Sequence, residues 1–190
     1  MTGSSEKQDM QAVLGFAKTL LPNLKRVGLL YGTGESNDLA LVKMMQKAAQ
    51  DLNLEVVAVP VSQARDVPIA MQQFKGKADL IYVGSSGPIQ PTLPVIAAES
   101  RKMQIPVINV DADAAEKGMV LASYGVNYTQ VGVNAAALAA KILKGQKPSD
   151  LAPIYPKLED HHGCVNLKQA QAFGINVPTG LKNIRILGEG

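Results

Sequence analysis

Short apolar runs rich in branched residues alternate with amphipathic helical stretches along this chain of 190 residues. That alternation restricts the fold more than any other feature. A strand that returns parallel to its predecessor needs a long crossover, usually a helix, so repeated strand–helix units specify a parallel sheet covered on both faces. The runs are Arg26 to Tyr31, Glu55 to Val61, Ala78 to Val83, Pro106 to Val110 and Met119 to Tyr124. After the first, Leu39, Val42, Met45, Ala49 and Leu52 share one helical side while Lys43, Gln46, Lys47 and Asp51 lie opposite. Asp66 and Pro68 suit the start of a helix whose core contacts are Met71 and Phe74. Three prolines, Pro88, Pro91 and Pro94, delay the next helix to about Thr92 or Leu93. The last helix of the series runs from Thr129 to Leu143, with Ala135-Ala136-Ala137 expected to lie close on the sheet and Gly145 to cap it.

Five such cycles predict a three-layer αβα fold with a five-stranded parallel sheet in the flavodoxin-like order 2-1-3-4-5. Ahead of them, Ser4 or Ser5 is suited to cap a helix carrying Met10, Val13, Leu14, Ala17, Leu20 and Leu21 on one face. In the 2-1-3-4-5 order the first and third strands are neighbours across the switch point, so their following loops face one crevice. Those loops are Gly32 to Asn37 and Gly84 to Pro88, and Asp111, Asp113 and Tyr124 to Asn127 add to the same rim. The first loop passes from a strand through Gly32-Thr33-Gly34 into a helix start at Ser36 or Asn37, an arrangement that presents free backbone N–H groups to an anion.

Composition narrows the function. With 46% hydrophobic and 18% charged residues the chain is globular. Its formal charge of +3 is scattered, and three Phe, five Tyr and no Trp leave no basic-aromatic interleaving, so nucleic acid is not an expected partner. Cys164 is the only cysteine, which rules out an internal disulfide, and His161 and His162 beside it read as a solvated connection rather than a metal site. No apolar segment is long enough to span a bilayer, and the polar start Met1 to Glu6 shows no export signal. Neither histidine falls on the predicted crest, and no Gly-x-Ser-x-Gly or Gly-x-x-x-x-Gly-Lys motif is present. Asp111 and Asp113 therefore read as acceptors for a cationic group, or as caps of the turn behind them, and not as an acid–base pair. No catalytic residue, metal or cofactor is expected. Gly32 to Ser36 also looks like the phosphate loop of flavodoxins, which makes an FMN-binding electron carrier the alternative. A flavin needs aromatic walls, though, and the third loop supplies Ser85, Ser86 and Pro88, with only Tyr124 and Tyr128 nearby.

Several segments, in a fixed order, resemble ABC transporter substrate-binding proteins of the tryptophan/tyrosine type. They are Leu21 to Tyr31 with Gly34-Glu35-Ser36-Asn37, Ala78 to Val83, Ile105-Pro106-Val107 with Asp111 and Asp113, and Lys117-Gly118. Gly125-Val126-Asn127-Tyr128 with Gly132, Ala139 to Gly145 and Val165-Asn166-Leu167-Lys168 complete the series. The resemblance implies a type I periplasmic-binding-protein fold, in which two α/β lobes close on a small ligand. It implies that residues 1–145 are the second lobe, crossover helix included, and that 146–190 form an extension which in relatives returns to a first lobe. The implied partners are a small-molecule ligand, the missing first lobe, an ABC permease and, through the tail, a second copy of the chain. The parent protein would be periplasmic or a cell-surface lipoprotein.

By the same resemblance the ligand-contacting residues are Thr33, Gly34, Glu35, Ser36, Asn37, Ser85, Ser86, Asp111, Asp113, Tyr124 and Asn127. Thr33, Ser36 and Asn37 would hold a carboxylate through backbone N–H groups, and Asp111 or Asp113 would meet an amino group. The sequence departs from the family at Ser85-Ser86-Gly87-Pro88, where relatives carry Thr-Asp-Asn-Thr. That change opens the site to another small amino acid, a nucleobase-like compound or an organic acid.

Overall fold

The computed structural model describes residues 1–188. Its strands are β1 (Arg26–Gly32), β2 (Glu55–Val61), β3 (Leu80–Val83), β4 (Val107–Asn109), β5 (Ala122–Val126), β6 (His161–Asn166) and β7 (Ile184–Leu187). The helices are α1 (Met10–Leu20), α2 (Ser36–Asp51), α3 (Val67–Gln72), α4 (Leu93–Met103), α5 (Ala112–Glu116), α6 (Tyr128–Leu143) and α7 (Leu167–Ala172). The sheet order is β2-β1-β3-β4-β5-β6-β7. Pairing is parallel for β1 with β2 and β3, for β3 with β4, for β4 with β5, and for β6 with β7. The first five strands take the order 2-1-3-4-5, and two more extend the sheet beyond β5.

The chain divides into two compact units. One comprises Met10–Tyr124 and the segment from Gly163 onward. Strand side chains there alternate between two cores. Leu29, Leu80, Tyr82 and Ile108 join α1 and α2 on one face, while Leu30, Ile81, Val83 and Val107 join α3 and α4 on the other. Near-continuous apolar strands are what a sheet covered on both faces requires. Gly28 shows how tight the second core is: a Cβ there would stand 2.7 Å from Phe74 Cδ1. At the base of the sheet Asp79 accepts the Arg26 N–H at 2.8 Å and the Lys25 N–H at 3.1 Å, and its other oxygen meets the Arg26 guanidinium at 2.6 Å. Burial pushes the Asp79 carboxyl up, but these hydrogen bonds and the guanidinium charge together hold it below the usual carboxylate range.

From Gly163 the chain packs into the cores of this unit. Cys164, Val165 and Ala170 are buried, and Asn166 donates to the Ala115 carbonyl at 2.9 Å.

The other unit comprises Met1–Asp9 and Gly125–His162. It takes in the whole of α6. Ser4 bridges Ile154 in parallel fashion, and the Ser5 N–H donates to the Ile154 carbonyl at 2.9 Å. That pairing keeps the N-terminus extended, so α1 begins at Met10 and not at Ser4 or Ser5. His161 is buried within β6 and is not part of a solvated loop. Its Nε2 accepts the Asp9 N–H at 3.2 Å, which leaves Nδ1–H to donate to the Lys157 carbonyl at 2.9 Å. Within α6 only Leu138 is buried, and Ala135, Ala136 and Ala137 are exposed instead of packed on the sheet.

Candidate functional site

The sheet order places the ends of β1 and β3 side by side, and the side chains that join them begin in α2. That helix starts at Ser36 with Glu35 as its N-cap residue and no side-chain cap, so the expected capping by Ser36 or Asn37 does not occur. Its in-helix ladder opens with the Leu39 N–H donating to Glu35 at 3.2 Å. The N–H groups of Ser36, Asn37 and Asp38 therefore precede the ladder and face outward from the helix start. Thr33 is engaged otherwise: its N–H donates to the Val61 carbonyl at 3.1 Å, and its hydroxyl lies 3.5 Å from that of Ser62. Its amide is thus unavailable for the carboxylate role that the family resemblance implied.

Asp38 is the residue the sequence reading missed. It is 2% exposed, and its Oδ2 accepts the Gly32 N–H at 2.5 Å and the Ser86 hydroxyl at 2.6 Å. A buried carboxylate behind the Gly32 turn opposes a phosphate there, which argues against the flavodoxin-like reading. The cue was available in the sequence. Asp38 lies on the same helical face as Leu41, Val42, Met45 and Ala49, the face that packs on the core, whereas Leu39 is 46% exposed. An acid on the apolar stripe of an amphipathic helix needs a reason.

The loop after β3 is folded around Ser86, whose carbonyl accepts the N–H groups of Ile89 at 3.2 Å and Gln90 at 2.8 Å. Ser85 and Gly87 are exposed, and a Cβ on Gly87 would stand 2.7 Å from Glu35 Oε1. A second polar chain links β3 to β4. Asn109, fully buried, donates to the Val83 carbonyl at 2.8 Å and to Gln90 Oε1 at 3.2 Å, and its Oδ1 accepts the Asp111 N–H at 2.8 Å. A buried asparagine in the apolar run Val107 to Val110 was likewise a legible sign. Asp111 caps α5 by accepting the Asp113 N–H at 3.0 Å, and its other oxygen stands 3.5 Å from Gln90 Nε2. Asp113 is exposed and pairs with Lys117 at 3.3 Å.

The structure therefore joins Glu35, Asp38, Ser86, Gln90, Asn109 and Asp111 into one crest at the C-terminal ends of β1, β3 and β4. Tyr124 is half-buried and stacks on Phe16 with ring centroids 4.9 Å apart. Asn127 belongs to the other compact unit, where its Oδ1 accepts the Thr129 N–H at 2.9 Å and caps α6.

A doubly wound parallel sheet with its polar groups gathered at the switch point is the arrangement of a periplasmic-binding-protein-like lobe. The family described as ABC transporter substrate binding protein matches residues 1–184, and the chain belongs to it. A tyrosine-binding protein of Clostridioides difficile is 29% identical over 151 residues, which is 80% of this chain and 44% of that protein. An uncharacterized protein of Rickettsia prowazekii is 26% identical over 148 residues, 78% of this chain and 48% of that protein. The chain thus spans about half the length of these curated relatives. Among solved structures, an ABC domain in complex with L-Trp from Streptococcus pneumonia superposes with a TM-score of 0.86 at 26% identity, covering 98% of this chain and 63% of that one. A conserved domain protein of Vibrio cholerae gives 0.85 at 26% identity, over 97% and 62% of the two chains. A ribose operon repressor protein of Lactobacillus acidophilus and a periplasmic ribose ABC transporter of Conexibacter woesei, at 10% and 16% identity, share the fold.

Proposed function

We propose that this chain is the ligand-binding second lobe of an ABC importer's substrate-binding component, and that its solute is an amino acid or a related carboxylate. The supporting observation is the crest: the outward N–H groups of the α2 start and the half-buried carboxylate of Asp111 lie at the same end of the sheet, on either side of the loop after β3. One group suits a carboxylate and the other an ammonium. The tyrosine and L-Trp named for two relatives favour the same class of solute. The chain binds and does not catalyse. In the whole protein a first lobe supplies the opposing jaw and covers the exposed apolar face of α6, with a permease as the docking partner outside the cytoplasm. A second copy of the chain is the other cover for that face.

Solute sites bury most of their ligand, so a lone lobe binds weakly. Titration calorimetry of the 190-residue chain with L-tyrosine, L-tryptophan and the other amino acids should give affinities weaker than micromolar. Fusion to the first lobe of a relative should restore tight binding of at least one of them. Micromolar affinity in the isolated chain, or no binding by the fusion, would overturn the proposal.

A further inference from the structure

We infer that Asp38 is the positioning residue of this site, the group that sets the loop after β3 against the loop after β1. The inference deepens the solute-binding reading above and rests on it for its functional consequence. The geometry is specific. A single oxygen, Oδ2, takes the N–H of Gly32 at the end of β1 and the hydroxyl of Ser86 in the loop after β3. Its own backbone sits in the first turn of α2. Three segments thus meet at one atom, and the carboxylate is 2% exposed. Neither donor is a cation. The charge is held by an amide, a hydroxyl and the positive end of the helix dipole.

The space around the atom is equally constrained. A Cβ on Gly32 would stand 2.9 Å from Asp38 Oδ2, 3.1 Å from Pro88 Cγ and 3.3 Å from Ser86 Oγ. Strand end, helix start and loop are therefore packed to contact around the carboxylate. Ser86 extends the effect, because its carbonyl anchors the N–H groups of Ile89 and Gln90. Gln90 in turn reaches Asn109, which receives the Asp111 N–H. The polar chain running from α2 to Asp111 starts at Asp38. The loop after β3 has no acid of its own between Gly84 and Gln90, and Asp38 brings one to it from the neighbouring helix.

The ligand-free test uses amide exchange and relaxation by nuclear magnetic resonance on the full chain. Asp38→Ala should speed exchange of the Gly32 N–H by about tenfold or more, the scale of losing a hydrogen bond to a charged group. It should also mobilise Ser85 to Gly87 while the β4 amides stay protected. Asp38→Asn keeps the shape and one acceptor oxygen, and should restore most of the protection. Ser86→Ala should mobilise the loop after β3 and leave the Gly32 N–H protected. Should Asp38→Ala leave Ser85 to Gly87 as ordered as in the parent chain, the inference is overturned, whether or not any solute binds. Global loss of protection in both Asp38 variants would overturn it too, since that is the mark of a general core residue.

The second arm uses L-tyrosine, L-tryptophan and the other amino acids as probes, followed by shifts of the Gly32 to Asp38 amides. A probe that shifts these amides in the parent chain should bind Asp38→Ala about tenfold more weakly, and Asp38→Asn nearly as well as the parent. Equal binding by Asp38→Ala would overturn the positioning role. A parent chain and a two-lobe fusion that both ignore every probe would overturn the amino-acid reading and leave the ligand-free result to decide the role of Asp38.

Discussion

Helices α2 and α6 are both 16 residues long, and composition ranks them in the wrong order for burial. α2 is the more polar, with Lys43, Gln46, Lys47, Gln50 and Asp51 along it, yet it buries Asp38, Met45, Ala48 and Ala49. α6 carries one charged residue, Lys141, and buries only Leu138. Val133 is 55% exposed and Leu143 is 88% exposed. Burial follows the surface that a helix is offered and not the apolarity it brings. α2 lies against the β1–β2 part of the sheet in its own unit, while α6 has no such sheet among the described residues of its unit. The solved relatives that match this chain over 97–98% of its length are themselves covered to only 62–63%.

The largest expected effect separates the two helices directly. Met45→Ala removes a side chain with no solvent exposure and should cost about 2–4 kcal/mol in urea denaturation. Val133→Ala, on the open face of α6, should stay within about 0.5 kcal/mol. A Val133→Ala cost equal to that of Met45→Ala would break the comparison, because it would mean that a second copy covers α6 in solution. Sedimentation of the same sample would then show the larger species.

Acid gives the next separation. Asp79 in the α2 unit is held by its Arg26 and Lys25 hydrogen bonds below the usual carboxylate pKa. Its contribution is therefore present above that value and lost as pH falls through the lower, folded one. Its hydrogen bonds to Lys25 and Arg26 are partly exposed to water, so Asp79→Asn should cost about 1 kcal/mol at neutral pH, with the gap from the parent chain closing toward pH 2. Exchange of the α6 amides should not follow that loss, since α6 carries no acid.

The fold was legible wherever local pattern and tertiary partner agreed. β2 spans Glu55–Val61 as its branched residues require, and α4 starts at Leu93 once the prolines have passed. The sequence misled where a long-range partner took over. Ser4 and Ser5 look like caps, but pairing with Ile154 holds them extended. Ala135 to Ala137 look like a packing stripe, but nothing in their unit lies on them. The crest was half legible. Topology brings the loops after β1, β3 and β4 together, whereas the group that ties the first two is an acid on an apolar helical face, beside a leucine that faces solvent. Tyr124 and Asn127 were placed on that rim by position alone, and each spends its side chain locally, on Phe16 and on the start of α6.

The smallest predicted effect turns on how the two helices begin. Asn127 accepts the Thr129 N–H at 2.9 Å and the Gln130 N–H at 3.4 Å, whereas Glu35 makes no side-chain cap and Ser36 lies already inside α2. An exposed helix without a sheet under it depends on its cap, because little else offsets the entropy of its first turn. Asn127→Ala should therefore cost about 1 kcal/mol of local stability, read as faster exchange along the first half of α6. Ser36→Ala should change the exchange of α2 by less than a factor of about two, because packing of Met45, Ala48 and Ala49 already fixes that helix. If Ser36→Ala loosens α2 as much as Asn127→Ala loosens α6, then a polar helix held by packing and an apolar helix held by its cap is the wrong division of labour.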